Sequence, residues 1–186
     1  MIYQAKQFSL KNGLKVTIKS PEANDSLKLL DNIVSVSKST NYLLSQPEDY
    51  DIYYQNIKLE EDYINSFKEK RDCLLCVYLD DKIIGNAALR FNIHKKDQHR
   101  TNIGIAIQEE YQGIGIGSIL FDIMIDIAKN SKGIDQIELD VISTNEKAKR
   151  LYAKKGFVKT GDIPHQLKLD DGTYLDGEMM VLFLNK

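Results

Sequence analysis

Apolar positions change period several times along the chain, and each change marks an element. Phe8 and Leu10, then Leu14, Val16 and Ile18, alternate around Asn12-Gly13, which predicts a hairpin closed by a tight turn. After Pro21 the spacing of Leu27, Leu30, Ile33 and Val34 is helical, and Ser45-Gln46-Pro47-Glu48 supplies the start residues of a second helix. A third helix is predicted over Glu60 to Lys70, burying Tyr63, Ile64 and Phe67. Two apolar runs then flank Asp80-Asp81, predicting a second hairpin over 73–91. Asn92 to Arg100 is polar and reads as a loop, and Asn102 to Ile107 as a short strand. From Gly115 to about Asn130, the spacing of Ile116, Ile119, Leu120, Ile123 and Ile127 is that of an amphipathic helix. A strand over Gln136 to Ile142 and a helix over Asn145 to Lys155, stopped by Gly156, come next. Strands over Phe157 to Ile163 and Tyr174 to Leu184 close the chain, the last after the turn Asp170-Asp171-Gly172. This order predicts an α/β chain with one mixed sheet and helices on its faces.

Composition narrows the class. The 186 residues are 42% hydrophobic and 28% charged with a net charge of -2, ordinary for a globular chain, so neither nucleic acid nor a membrane is an expected partner. With no repeat, linker or low-complexity segment, one domain over 1–186 is expected. No apolar run approaches the ~20 residues of a membrane span. The first residues lack a signal-peptide layout, so a cytoplasmic location is expected. Cys73 and Cys76 have CxxC spacing, yet residues three apart on a strand point to opposite faces and cannot share a metal or a bridge. They read as two small buried residues, and no metal is expected.

The stretch Tyr111 to Leu120, YQGIGIGSIL, joins a predicted strand to a predicted helix through three glycines. The first turn of a helix leaves about four amides unpaired, and the helix dipole adds roughly half a positive charge, so this junction favours an anion. A Walker loop requires a lysine that is missing near Gly117. A Rossmann loop requires glycine where Ser118 or Leu120 stands, depending on the frame. Gln112-Gly113-Ile114-Gly115-Ile116-Gly117 does fit Gln/Arg-x-x-Gly-x-Gly/Ala at every specified position.

In this loop, and in the order of the strand, helix, strand, Asn145 and AKRLYAKKGF that surround it, the chain resembles the GNAT superfamily of N-acetyltransferases. The resemblance is specific over Ile83 to Phe157 and thinner elsewhere. It implies the GNAT-like acyl-CoA N-acyltransferase fold, with a central, mostly antiparallel sheet and helices on both faces. It also implies acetyl-CoA as co-substrate and acetyl transfer to a primary amine of a small molecule or peptide, by direct attack in a ternary complex. A non-catalytic acyl-CoA binding or regulatory module is the alternative reading.

Carried over residue by residue, the resemblance gives the pyrophosphate to Gln112, Gly113, Ile114, Gly115, Ile116, Gly117 and Ser118. It gives the pantetheine arm to the backbone of Ile105 and Ile107, with an amide near Ile105 or Ala106 polarising the thioester carbonyl. Asn145 falls in the second coenzyme-binding segment, and Tyr152 stands where the family's tyrosine protonates the departing sulfur. The acceptor presents a separate difficulty. An alkyl amine of pKa ~10.4 is almost wholly protonated at pH 7, a penalty of about 4 to 5 kcal/mol. His99, Glu109, Glu110 and Glu178 are candidate bases. Many members carry an acidic residue on the strand where this chain has Asn102, so no base is assigned. Acceptor specificity is expected from the helices between Asn24 and Arg71 and from the final hairpin with His165. An exposed last strand would let two copies pair their sheets as a homodimer.

Overall fold

The computed structural model describes residues 1–184. In chain order the elements are β1 (Lys6–Ser9), β2 (Lys15–Lys19), α1 (Ser26–Ser39), α2 (Asp51–Gln55), α3 (Lys58–Glu69), β3 (Cys73–Leu79) and β4 (Lys82–Phe91). They continue with β5 (Arg100–Ile107), α4 (Ile116–Lys129), β6 (Gln136–Ile142), α5 (Glu146–Lys154), β7 (Val158–Lys168) and β8 (Tyr174–Phe183). The strands form an eight-stranded mixed sheet in the order β1-β2-β3-β4-β5-β6-β8-β7. The residues cluster into two compact units, Met1–Arg90 with Gly104–Leu120, and Phe91–Ile103 with the chain from Phe121 onward.

In the first unit the predicted turn at Asn12-Gly13 closes β1 on β2. Gly13 takes a φ of +86°, which favours glycine, and Asn12 accepts the Leu14 amide at 3.2 Å. Leu74, Cys76 and Tyr78 on one face of β3 and Ile83 of β4 pack with Leu29 of α1 and Ile64 and Phe67 of α3. The predicted stripe of α3 is therefore its buried face. Cys73 and Cys76 are both unpaired and fully buried, Cys76 within this cluster, as alternation along β3 requires.

In the second unit β6 pairs in parallel with β5 at Arg100↔Gln136, Thr101↔Ile137 and Asn102↔Glu138. On its other side β6 pairs antiparallel with β8 over its full length. Phe121, Tyr152 and Phe157 form an aromatic cluster, with Phe121 5.1 Å from Tyr152 and 5.7 Å from Phe157.

Four expectations change. The helix after Ser45 is only a 3-10 turn over Pro47–Tyr50 and the single turn α2. Strand β5 begins two residues early, at Arg100, because its first residues find partners on β6. Strand β7 runs on to Lys168 through a register shift between Ile163 and Leu167, where Pro164 and His165 break the alternation that sequence reading relies on. The last strand is no edge, since β8 lies between β6 and β7. Pairing of two copies through an exposed last strand thus loses its basis. Edge strand β7 carries Pro164, two register shifts and Lys159, features that oppose edge-to-edge pairing.

Glu60 is the one carboxylate of α3 turned inward, only 7% exposed, and burial pushes its pKa up to about 7. Its folded pKa lies above the unfolded value, so stability held at low pH is lost as pH rises from about 4.5 through 7. Urea unfolding should therefore show Glu60→Gln more stable than the parent at pH 8.5, by at most about 3 kcal/mol. The two proteins should be nearly equal at pH 4.5.

Candidate active site

Within the first unit, strand β5 ends at Ile107 and the chain turns through a 3-10 turn, Glu109–Tyr111, into the glycine loop and α4. Three contacts fix this turn. The Gln112 side-chain amide donates to the Ile107 carbonyl at 2.9 Å, tying the loop back to the strand end. The Gln108 amide donates to Ile84 of β4, and the Lys11 amide of the β1–β2 turn donates to the Ile114 carbonyl, both at 3.1 Å. Gly85 of β4 lets the strand end approach closely. A Cβ there would stand 3.2 Å from Ile107 Cγ1 and 3.3 Å from the Ala106 carbonyl, tighter than packed side chains tolerate.

Gly113 and Gly115 have φ of +83° and +110°, so the loop conformation depends on glycine at both positions. Past them the Gly115 carbonyl accepts the Ile119 amide and α4 begins. Among the described residues, the amides of Gly113 through Ser118 donate to no acceptor. These are the unpaired groups of a helix start, gathered over a surface without side chains at Gly113, where nothing lies within 4 Å of a notional Cβ. The loop offers an anion a row of backbone N–H donors.

A polar chain supports the same strand end. Gln108 donates from its side chain to Asn32 Oδ1 of α1 and to the Ile83 carbonyl, both at 3.1 Å. Fully buried Asn32 donates in turn to Asn86 Oδ1 of β4 at 2.9 Å. Beside it, Ser35 and Ser39 of α1 with Gln108, Glu109 and Glu110 line a cavity of about 420 Å³. No sequence pattern announced this chain, because Asn32 reads as one polar residue within an apolar helical stripe.

In the second unit Asn145 is the N-cap of α5, its side-chain oxygen accepting the Ala148 amide at 3.2 Å. Its side-chain nitrogen remains a donor. Tyr152, two turns further on, is 8% exposed, and burial pushes its pKa up to about 12. The ring packs in the aromatic cluster, and the phenol stays protonated across the physiological range. Lys149 donates to the Ser143 carbonyl at 3.0 Å and to Glu146 and Glu178 at 3.1 and 3.0 Å, bracing the turn that carries Asn145.

A family model described as "Acetyltransferase (GNAT) family" matches residues 39–157, which include both the glycine loop and α5. The chain belongs to the GNAT family of acetyltransferases. Among curated relatives, an L-amino acid N-acetyltransferase of Escherichia coli K12 is 27% identical over 106 residues, 57% of this chain and 65% of that protein, just under two thirds of its length. The spermidine N(1)-acetyltransferase of the same organism is 27% identical over 154 residues, 83% of this chain and 77% of that protein. Among solved structures, a Salmonella typhimurium protein with its cofactor acetyl-CoA matches with a TM-score of 0.74 at 18% identity, over 92% of this chain and 95% of that one. The predicted GNAT fold is the one observed.

Judged as bases for this GNAT site, the sequence candidates separate. His99 immediately precedes β5. Glu178 is 8% exposed and lies 3.0 Å from Lys149 and 3.5 Å from Lys159, which engage its carboxylate. Glu109 and Glu110 are exposed in the 3-10 turn, on the rim of the α1 cavity. His165 takes a φ of +53° and stacks on Tyr174 at 4.2 Å. Its amide donates to Asp176 at 2.7 Å.

The brace from Gln112 to Ile107 is the side-chain link in the loop's support. Replacing Gln112 with Ala should cost about 1 kcal/mol of stability in urea unfolding. It should also raise KM for acetyl-CoA about fivefold in steady-state kinetics, with a smaller change in kcat.

Proposed function

We propose that the protein is an N-acetyltransferase that passes the acetyl group of acetyl-CoA to a primary amine of a small molecule or peptide, by direct attack in a ternary complex. The observation that carries this reading is the row of unpaired amides from Gly113 to Ser118 over two glycines of positive φ at the start of α4. Gln112, Gly113, Ile114, Gly115, Ile116, Gly117 and Ser118 receive the pyrophosphate, chiefly through main-chain N–H groups. The backbone of Ile105 and Ile107 carries the pantetheine arm, close to the point where Gln112 ties the loop to the Ile107 carbonyl. Asn145 offers its side-chain amide to the coenzyme. No metal takes part. The reading treats 1–186 as one N-acetyltransferase domain acting in the cytoplasm. It accords with the free thiols of Cys73 and Cys76.

In the step itself the amine nitrogen bonds to the thioester carbonyl carbon, the carbon–sulfur bond breaks, and the ammonium proton leaves to base or water. An amide near Ile105 or Ala106 stabilises the oxyanion. Tyr152 donates a hydrogen bond to the departing sulfur. With a phenol pKa of about 12 against ~8.5 for a thiol, complete proton transfer would be uphill by about 5 kcal/mol, so Tyr152 stabilises the thiolate chiefly as a donor. The cavity bounded by Ser35, Ser39, Glu109 and Glu110 suits a cationic acceptor, its two carboxylates holding the ammonium before the proton is lost.

Thiol release measured with acetyl-CoA and a panel of amino acids, polyamines and peptides tests the reading. Release with at least one amine is expected. Tight acetyl-CoA binding with no release for any amine would instead leave a non-catalytic acyl-CoA module. For the mechanism, kcat should rise with pH as the acceptor loses its proton. It should show no falling limb from Tyr152 below about pH 11, since the active form of this group is the protonated one and its folded pKa is about 12. Tyr152→Phe should lower kcat by roughly 10- to 100-fold, with the profile's shape kept.

A further inference from the structure

The loop assigned to the pyrophosphate lacks a cation of its own. From Thr101 to Ala128 the chain has no lysine or arginine, and the glycine loop is preceded by Glu109 and Glu110. Gln112, at the position where the family pattern also accepts arginine, donates its side-chain amide to Ile107. Backbone amides alone would therefore have to balance a diphosphate beside two carboxylates, an unfavourable sum for so charged a ligand.

A cation nonetheless stands at this loop, delivered from far away in sequence. The β1–β2 turn docks on it through the bond from the Lys11 amide to the Ile114 carbonyl at 3.1 Å. The aliphatic stem of Lys11 lies across Gly115, with Cγ and Cε 3.7 and 4.0 Å from where a Cβ of Gly115 would be. Lys11 is exposed, and among the described residues its ammonium has no ion-pair partner. It lies one bond beyond Cε, beside the glycine loop. Three other lysines of this unit are engaged elsewhere. Lys19 lies over the Tyr78 ring and near Asp25, and Lys28 and Lys58 pair with carboxylates. The tight turn explains why position 11 is held there: Leu10 and Leu14 pair across it and Gly13 closes it, so the amide of Lys11 is left pointing outward to Ile114.

We propose that Lys11 is a coenzyme-binding residue, supplying from the N-terminal hairpin the positive charge that the pyrophosphate loop lacks. This rests on the acetyl-CoA reading given above. The side chain acts at the phosphates and takes no part in acyl transfer, so it sets coenzyme affinity and leaves chemistry alone.

The test is titration of the full-length protein with acetyl-CoA at low and high salt, for the parent, Lys11→Met and Lys11→Arg. Lys11→Met keeps the backbone bond to Ile114 and most of the stem, so its thermal unfolding should match the parent. Its Kd and KM for acetyl-CoA should rise about tenfold at low salt with kcat unchanged. Lys11→Arg should restore most of the loss, and the parent's affinity should fall with salt more steeply than the methionine variant's. The same tenfold loss is expected with 3′-dephospho-CoA, while acetyl-pantetheine, which has no pyrophosphate, should be used equally by all three proteins. Loss confined to acetyl-CoA and absent with the dephospho form would move the contact to the 3′-phosphate and overturn the assignment. Unchanged affinity in Lys11→Met, with the parent binding normally, would overturn this inference alone. Failure of the parent to bind acetyl-CoA would overturn the parent reading and this one together.

Discussion

A strand that passes into a helix through a handful of residues must reverse its hydrogen-bonding pattern within them, and it leaves amides unpaired as it does so. Here the reversal runs from Ile107 to Ile116, with Gly113 and Gly115 in backbone conformations that side chains would strain. Everything local to the loop serves that reversal. Gln112 ties the loop to the strand end, Gly85 makes room for the strand, and the β1–β2 turn covers Gly115. The unpaired amides are thus the remainder of a geometric constraint, and an anion is the ligand that satisfies them.

The second unit meets a different constraint, that of keeping a phenol in a core. Tyr152 packs its ring against Phe121 and Phe157, as a residue chosen for packing would. The same burial holds its proton far above neutral pH. Packing is therefore compatible with the donor role proposed for Tyr152. A low-dielectric setting that raises the phenol's pKa also keeps a donor permanently loaded, at the cost of making full transfer unfavourable. Nearby, Lys149 carries three acceptors, one of them the Ser143 carbonyl, and so fixes the turn from which Asn145 caps α5. Glu178, a candidate base by type and position, is consumed by that support.

Most elements were legible because their signals are local. Alternation gave β1, β2 and β6, two apolar runs about Asp80-Asp81 gave β3 and β4, and the glycine spacing identified the loop through its conformational demands, which are written in residue type. The stripe of α4 was read less well. Ile119, Ile123 and Ile127 are only half-buried, and the buried line runs through Ile116, Leu120, Phe121, Met124 and Ala128. In so apolar a helix every face looks like a core face, and only neighbours decide. The extension of β7 was hidden because Pro164 and a left-handed His165 imitate a strand end, while pairing with β8 resumes at Leu167. At the candidate site, the residues that line the loop were readable and those that hold it in place were not. Lys11 and Asn32 reach it through tertiary contacts, and no spacing rule links position 11 or 32 to position 114 or 108.

The chain from Asn86 through Asn32 to Gln108 deserves its place for an energetic reason. Leaving the buried Asn32 amide unpaired costs about 1 to 3 kcal/mol, so α1 cannot slide or turn against the end of β5 without breaking a bond to Asn32. The amide of Gln108 fixes β5 to β4 in the same place, and its side chain is shared between helix and strand. Helix α1 also supplies Ser35 and Ser39 to the cavity whose other wall is Gln108, Glu109 and Glu110. One buried polar chain therefore sets both the wall of that cavity and the strand end from which the glycine loop departs. Within this unit, substitutions at Ser35, Ser39, Glu109 or Glu110 can change what the cavity admits while Asn32 and Gln108 keep the strand end still. The wall of that cavity can thus vary on a framework that leaves the glycine loop untouched.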